Sequence, residues 1–303
     1  MGITLYKNAD WILTVNEKRE KFRHGDLLIS GKEILDVGND LEKKYAGKLQ
    51  IDKTIDAKGT VILPGFVNIH HHTWQSLIRN IQATRGLKLE PWLTVMYEIY
   101  KDLNTDVARA GVYSGLGDML KTGCTTSNDL WYPHPVGVKY LVDAEIQAAA
   151  EIGIRFHPTR GFHSVPSDIV PPEVVDTKES VTEDTIRLVK KYHDRSRFSM
   201  CQVGIAPSIA QYETEDIIEA VVDLAEEYDI MVHGHLAESQ HEVEYTLKTW
   251  GCRPFEWFKR HRLLGKRFYF AHCIHLNEEE IEQMAETETG VAHCPISNML
   301  LSS

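Results

Sequence analysis

The run Val61-Ile62-Leu63-Pro64-Gly65-Phe66-Val67-Asn68-Ile69-His70-His71-His72 decides the architecture. It is an apolar, β-type stretch that ends abruptly in three histidines. Downstream of it, apolar runs alternate with long amphipathic stretches, the signature of βα units around a parallel sheet. Candidate strands fall at 66–69, 125–129, 154–159, 202–206, 231–236, 268–273 and 291–294. Helical patterns between them include 106–121, 138–151, 179–192, 214–228 and 278–286. Asn277 followed by Glu280 predicts a capping box, and Thr214 before Glu215 and Asp216 predicts a second helix start. The Pro- and Ser-rich stretch 162–176 reads as a loop. An α/β, TIM-like (βα)8 barrel closes on eight strands. Seven are visible here, so residues 63–303 are expected to form a C-terminally incomplete barrel, truncated before strand 8. Residues 1–62 instead alternate short β-type runs at 3–6, 10–15, 26–29, 34–37, 53–56 and 61–63, punctuated by Gly31-Lys32 and Lys58-Gly59. They read as part of a separate small β-structure.

Composition narrows the function. The chain has 303 residues, 43% hydrophobic and 25% charged, which suits a cored globule. A formal charge of −11 argues against a nucleic-acid partner. No apolar run approaches the roughly 18 residues of a membrane span, so no membrane partner is expected. Five cysteines without a C-x-x-C pair point to reduced thiols and a cytoplasmic location. Histidine is abundant, at 15, which directs attention to metal and acid–base chemistry.

On a strand, residues two apart share a face, so His70 and His72 point together while His71 points outward. Two imidazoles at that spacing can chelate one ion at the C-terminal mouth of a barrel. The alternative is a run of exposed histidines or one satisfied core histidine. A second cluster, His233-Gly234-His235-Leu236-Ala237-Glu238, also ends a β-type run. His235 can ligate there while the Glu238 carboxylate moves a proton. His233 shares the face of His235 and reaches the same site, or is a structural residue of the barrel interior. Ala271-His272-Cys273 and His293-Cys294-Pro295-Ile296-Ser297-Asn298 close two more strands. Ser297 and Asn298 offer substrate contacts, or support a turn at the start of a polar loop. Histidines at four of seven strand ends are far more specific jointly than singly. Together they predict a mononuclear metal site at the mouth of a barrel.

In order and spacing, the blocks 64–72, 235–238, 271–273 and 293–298 resemble the amidohydrolase superfamily. Within it the chain looks like the metal-dependent aminohydrolases of purines, pyrimidines and triazines. Residues 65–72 with Gln75, Trp92-Leu93, Gly123-Cys124-Thr125-Thr126 and Thr159-Arg160-Gly161 look closest to 8-oxoguanine deaminases and hydroxyatrazine-type aminohydrolases. The resemblance implies one divalent metal ion, Zn2+ before Fe2+, on His70, His72 and His235. It implies Glu238 as proton shuttle and His272 as the group that orients water and the tetrahedral intermediate. The final ligand it implies, an aspartate ending strand 8, is absent from this chain. It also implies that residues 1–62 are the N-terminal part of a β-sandwich flanking the barrel. Ser208 stands where adenosine-type deaminases tend to carry a histidine, which favours a base-like over a nucleoside substrate.

The expected activity is hydrolytic deamination of a heteroaromatic amine, an oxidised purine such as 8-oxoguanine or a related purine or triazine, with release of ammonia. Gln75, Trp92 and Arg160 are the candidates for reading the substrate's carbonyl and aromatic face. The bland readings are a helix-start Gln, a packed Trp and a loop-bracing Arg. Two other functions compete: a triazine or cyclic-amide hydrolase of the same superfamily, and an inactive truncated remnant. The expected partner is the small heteroaromatic substrate, with a homo-oligomer as a further option.

Overall fold

The computed structural model describes residues 2–303, and Met1 lies outside the described residues. The chain divides into two compact units, Met1–Phe66 and Val67–Ser303. In the first, strands β1 (Ile3–Leu13), β2 (Lys21–Ser30), β3 (Glu33–Gly38), β4 (Lys53–Asp56) and β5 (Val61–Ile62) share one sheet. Its order is β3-β2-β1-β4, with β5 also on β1. The runs at 3–6 and 10–15 belong to the single strand β1. A bulge hides their continuity: the pairing with β2 shifts between Tyr6 and Ala9, and Asn8 adopts a left-handed φ of 61°. The buried Asp26 carboxylate satisfies the displaced backbone, accepting from the Asn8 N–H at 3.1 Å and the Leu41 N–H at 3.0 Å.

The second unit is built on β6 (Phe66–Asn68), β7 (Cys124–Trp131), β8 (Arg155–Phe162), β9 (Gly204–Pro207), β10 (Val232–Leu236), β11 (Phe268–His272) and β12 (Gly290–Ala292). They hydrogen-bond in chain order into one sheet, with β6 and β12 as its edges. Every neighbouring pair from β7 to β12 is parallel. All seven strands coincide with the apolar runs of the sequence. Helices Thr105–Lys121, Leu141–Ile152, Lys178–Tyr192, Glu215–Tyr228 and Glu278–Thr287 follow the amphipathic patterns, joined by Leu89–Tyr100, Gln240–Trp250 and Pro254–Arg260. Every residue of β9 and β10 is buried, as expected when helices cover one face and the strands curl around the other.

Helix starts follow local chemistry. Asn277 Oδ1 accepts from the Glu280 N–H at 2.9 Å, and Glu280 Oε2 accepts from the Asn277 N–H at 2.8 Å, completing the predicted box. Thr214 makes no side-chain cap, because its hydroxyl donates to Asp216 Oδ1 at 2.6 Å instead. The stretch after Cys294, read as a polar loop, is helical over Pro295–Leu301. Pro295 sits in its first turn, where the fixed φ favours a helix start and the missing N–H costs nothing.

Curvature places the strand ends. Four spacings of about 4.8 Å would hold β6 and β10 roughly 19 Å apart in a flat sheet. His70, two residues past β6, lies instead 2.8 Å from His233 on β10. The sheet is therefore curled, and its C-terminal ends converge.

Candidate metal centre

Three histidines converge there with their tautomers fixed by neighbours. His72 Nδ1 donates to the Leu130 carbonyl at 2.7 Å, and His235 Nδ1 donates to the Ser208 carbonyl at 2.7 Å. His233 donates from Nδ1 to the Tyr269 carbonyl at 2.9 Å, so its Nε2 can only accept. His70 Nδ1 must then donate to it. Each of His70, His72 and His235 is left with a bare Nε2 lone pair. Their ligand atoms lie within 4.8 Å of one another. His72 Nε2 and His235 Nε2 are 3.2 Å apart, two acceptors facing each other with no proton between them. Such a contact repels unless a cation lies between. Nitrogens about 2.05 Å from a tetrahedral zinc sit roughly 3.3 Å apart, so the donor set fits a zinc-class ion. Burial, then the other imidazoles, holds His70 and His72 well below the usual histidine range, and burial brings His235 down to about 4. All three rings are neutral at physiological pH and so able to ligate an ion.

Glu238 lies beside this set on a turn in which Ala237 has φ 49°. The turn is pinned by Glu242, whose carboxylate accepts from the Ala237 N–H at 3.1 Å and the Glu238 N–H at 2.9 Å. Burial, then the charges of Glu242 and Glu90, raises the Glu238 carboxyl to about 8. Its Oε1 is 3.4 Å from His272 Nε2. Asn298 Nδ2 donates to His272 Nδ1 at 3.0 Å, which leaves the His272 proton on Nε2, facing Glu238. His272 and Cys273 both adopt left-handed φ, 71° and 57°. The kink is held by Cys273 N–H donating to the Leu236 carbonyl and His275 N–H to the Ala237 carbonyl, each at 2.9 Å. A second donor group, His70, His272 and Cys294, shares His70 with the first.

A cavity of about 750 Å³ opens over these residues. Gln75, Trp92 and Ser297 line it, with Gln75 Nε2 donating to the Tyr100 hydroxyl at 3.0 Å. Asn298 is buried and reaches His272, not the cavity. Arg160 is not brought to the site. It shares the helix-facing side of β8 with Phe156 and Phe162, only 2% exposed, and its guanidinium is spent on Asp176 at 2.9 Å and Asp184 at 3.0 Å. His163, the first residue past β8 and of opposite parity to Arg160, does line the cavity. Sequence reading missed it inside the 162–176 loop, although the rule of a histidine just past a β-type run selects it. It missed Tyr97, Tyr132 and Gln211 in the cavity wall as well, for which no local signal exists.

Residues 61–303 match the profile of the Amidohydrolase family. An 8-oxoguanine deaminase of Pseudomonas aeruginosa is 34% identical over 251 residues, 82% of this chain and 56% of that protein. A hydroxydechloroatrazine ethylaminohydrolase of Pseudomonas sp. (strain ADP) is 28% identical over 313 residues, 100% of this chain and 65% of that protein. The chain thus spans less than two thirds of the length of these relatives. In fold it is similar to the zinc complex of atrazine chlorohydrolase from Arthrobacter aurescens TC1, with a TM-score of 0.91 at 24% identity, covering 99% of this chain and 67% of that one. A curled parallel sheet, histidines gathered at its strand ends and a profile match over four fifths of the sequence lead to one assignment: the chain belongs to the amidohydrolase family.

Proposed function

We propose that this chain carries the centre of a metal-dependent hydrolytic deaminase, acting on a heteroaromatic amine such as 8-oxoguanine or a related purine or triazine. The observation that carries the reading is the convergence of three bare Nε2 lone pairs beside the buried Glu238–His272 pair, under a cavity of about 750 Å³ walled by aromatic rings. One ion is proposed on His70, His72 and His235, zinc first and Fe2+ as the alternative. The chemistry supplied by an ion in this set is Lewis-acid activation of water, whose pKa falls from about 15.7 toward about 7. Beside a cation held by the three histidines, Glu238 is favoured in its ionised form, and its Oε1 takes the proton of the attacking water as the water oxygen bonds to the ring carbon. The same carboxyl then returns that proton to the amine nitrogen as the C–N bond breaks, so ammonia leaves and the ring keeps oxygen. His272 Nε2–H donates a hydrogen bond to the oxygen as negative charge gathers on it.

Ser208 lines the cavity where adenosine-type deaminases tend to carry a histidine, which supports a free base over a nucleoside as substrate. The proposed setting is the cytoplasm, since the five cysteines are all free. No helix among the described residues is long and apolar enough to cross a membrane. A coupled ammonia assay over 8-oxoguanine, guanine, hydroxylated aminotriazines and adenosine tests the reading, with release from the oxidised purine or triazine set expected. Glu238→Gln should keep its metal by elemental analysis and lose at least about 100-fold in turnover. Efficient adenosine turnover refutes the preference for a free base, and an unimpaired Gln variant refutes the role of Glu238.

A further inference from the structure

In the cavity wall near the proposed metal centre begins a buried polar chain that the proposed reaction leaves unused. The Tyr97 hydroxyl is 2.5 Å from His163 Nε2. His163 Nδ1 is 3.5 Å from Glu213 Oε1. Glu213 Oε2 accepts from the Ser164 hydroxyl at 2.9 Å, and Ser164 Oγ accepts from the Thr214 N–H at 2.8 Å. Tyr97, His163 and Glu213 are 2%, 1% and 3% exposed. Neither His163 Nδ1 nor Glu213 Oε1 has a hydrogen bond of ordinary geometry among the described residues, and the 3.5 Å contact sets the two against each other. The Tyr132 ring ties this chain to the centre: its centroid is 5.3 Å from that of His163 and 5.1 Å from that of His72. Tyr97 and His163 both line the cavity, and His163 is the one partner of the Tyr97 hydroxyl among the described residues.

With His163 held neutral by its burial, two proton arrangements satisfy the chain; an imidazolium beside a carboxylate would separate two charges in a buried site. In one, Glu213 is a carboxylate, His163 carries its proton on Nδ1, and the Tyr97 hydroxyl donates to Nε2. That arrangement buries a negative charge with no cation beside it, which is costly. In the other, Glu213 is a neutral acid whose Oε1–H donates to Nδ1, and His163 Nε2–H donates to the tyrosine oxygen. The Tyr97 proton is then the one group with no partner in the chain, and it turns into the cavity. The second arrangement holds one proton more and no net charge. Burial acts in the same direction, raising the Glu213 carboxyl well above the usual range and lowering His163 to about 3.

Resting on the deaminase reading, we propose that Tyr97 is a specificity-determining residue that donates a hydrogen bond to an oxo or ring-nitrogen acceptor of the heteroaromatic substrate, and that Glu213 and His163 position its proton. Glu213 and His163 touch no substrate; they act through Tyr97.

The test has two independent arms on the zinc-loaded chain. First, 15N NMR of the ligand-free protein, with the His163 resonances assigned by their loss in His163→Gln, reads the tautomer directly. The Nε2–H form is expected in the wild type and in Glu213→Gln, whose amide can donate in place of the acid, and it should be lost in Glu213→Leu. An Nδ1–H tautomer in the wild type overturns the relay. Second, Tyr97→Phe should raise KM for 8-oxoguanine by about 3- to 10-fold, with kcat within about 2-fold, the loss of one neutral hydrogen bond. Glu213→Leu should follow Tyr97→Phe, and Glu213→Gln should stay near wild type. An unchanged KM in Tyr97→Phe overturns the substrate contact. If the wild type releases no ammonia from any substrate while the Nε2–H tautomer is present, the deaminase reading and the contact built on it fall, and the relay stands.

Discussion

His233 ligates nothing in the proposed centre, yet zinc affinity should depend on it. Its ring is fully buried, stacked 4.1 Å from Tyr269 and anchored by Nδ1 to the Tyr269 carbonyl at 2.9 Å. Its Nε2 is the acceptor that keeps the His70 proton on Nδ1 and the His70 lone pair on Nε2, at 2.8 Å. His233→Phe preserves the stacked ring but removes that acceptor. The His70 Nδ1–H is then buried without a partner, at a cost of about 1–3 kcal/mol, which it escapes by rotating or by shifting its proton to Nε2. Either escape withdraws a ligand. Losing an outer partner of a ligating histidine typically costs 10–100-fold in metal affinity, or about 1.4–2.7 kcal/mol. Competition for zinc against a chromophoric chelator measures this directly, with circular dichroism confirming the fold. His233→Gln, whose amide oxygen can accept from His70, should recover part of the loss. A folded Phe variant with wild-type zinc affinity would refute the argument that tautomer control at His70 matters.

Arg160→Met should lower the melting temperature sharply, because it leaves the buried Asp176 carboxylate without its cation, at about 3–5 kcal/mol, while Asp184 keeps Arg187 at 2.7 Å. KM in any folded preparation should be unchanged; a raised KM with unchanged melting would return Arg160 to the substrate. Asp129 and Glu145 form a buried carboxyl pair joined through Thr73, with Asp129 raised to about 7 by burial and Glu145 raised by burial and then by Asp129. Both folded values exceed the unfolded ones, so the protonated pair contributes fully below about pH 4 and its contribution is lost as pH rises through about 7. Denaturant titrations should show Glu145→Gln flattening the fall in stability between about pH 6 and 8, by at most about 1.4 kcal/mol per pH unit per proton. Identical slopes in the two proteins count against a shared proton.

The strands of the second unit were legible because most are short β-type runs that carry or meet a histidine, glycine or proline at their ends, a signal independent of distant contacts. The metal-ligand candidates followed from those stops: His70, His72 and His235 are placed by strand ends alone. What stayed hidden depends on geometry that no local pattern encodes. The bulge at Asn8 turned one strand into two apparent ones. Arg160 was taken from a motif-like neighbourhood, whereas strand alternation with Phe156 and Phe162 assigns it to the helix side and His163 to the cavity. The helix after Cys294 was masked by Ser297 and Asn298, two residues that also favour turns. Glu213 gave no sign, since its role rests on meeting His163 across 50 residues of intervening chain.

The hydrogen bond between His70 and His233 joins residues 163 positions apart. Closing a loop of that length carries a large entropic cost before any local reward, and chains dominated by such contacts fold slowly. The donor set is therefore complete only once β6 and β10, four strands apart in the sheet, have docked. Until then His70 and His72 form an incomplete, exposed pair that can capture ions of the wrong kind. Loading of the proposed centre is thereby tied to the docking of distant strands, a matter of timing as much as of affinity.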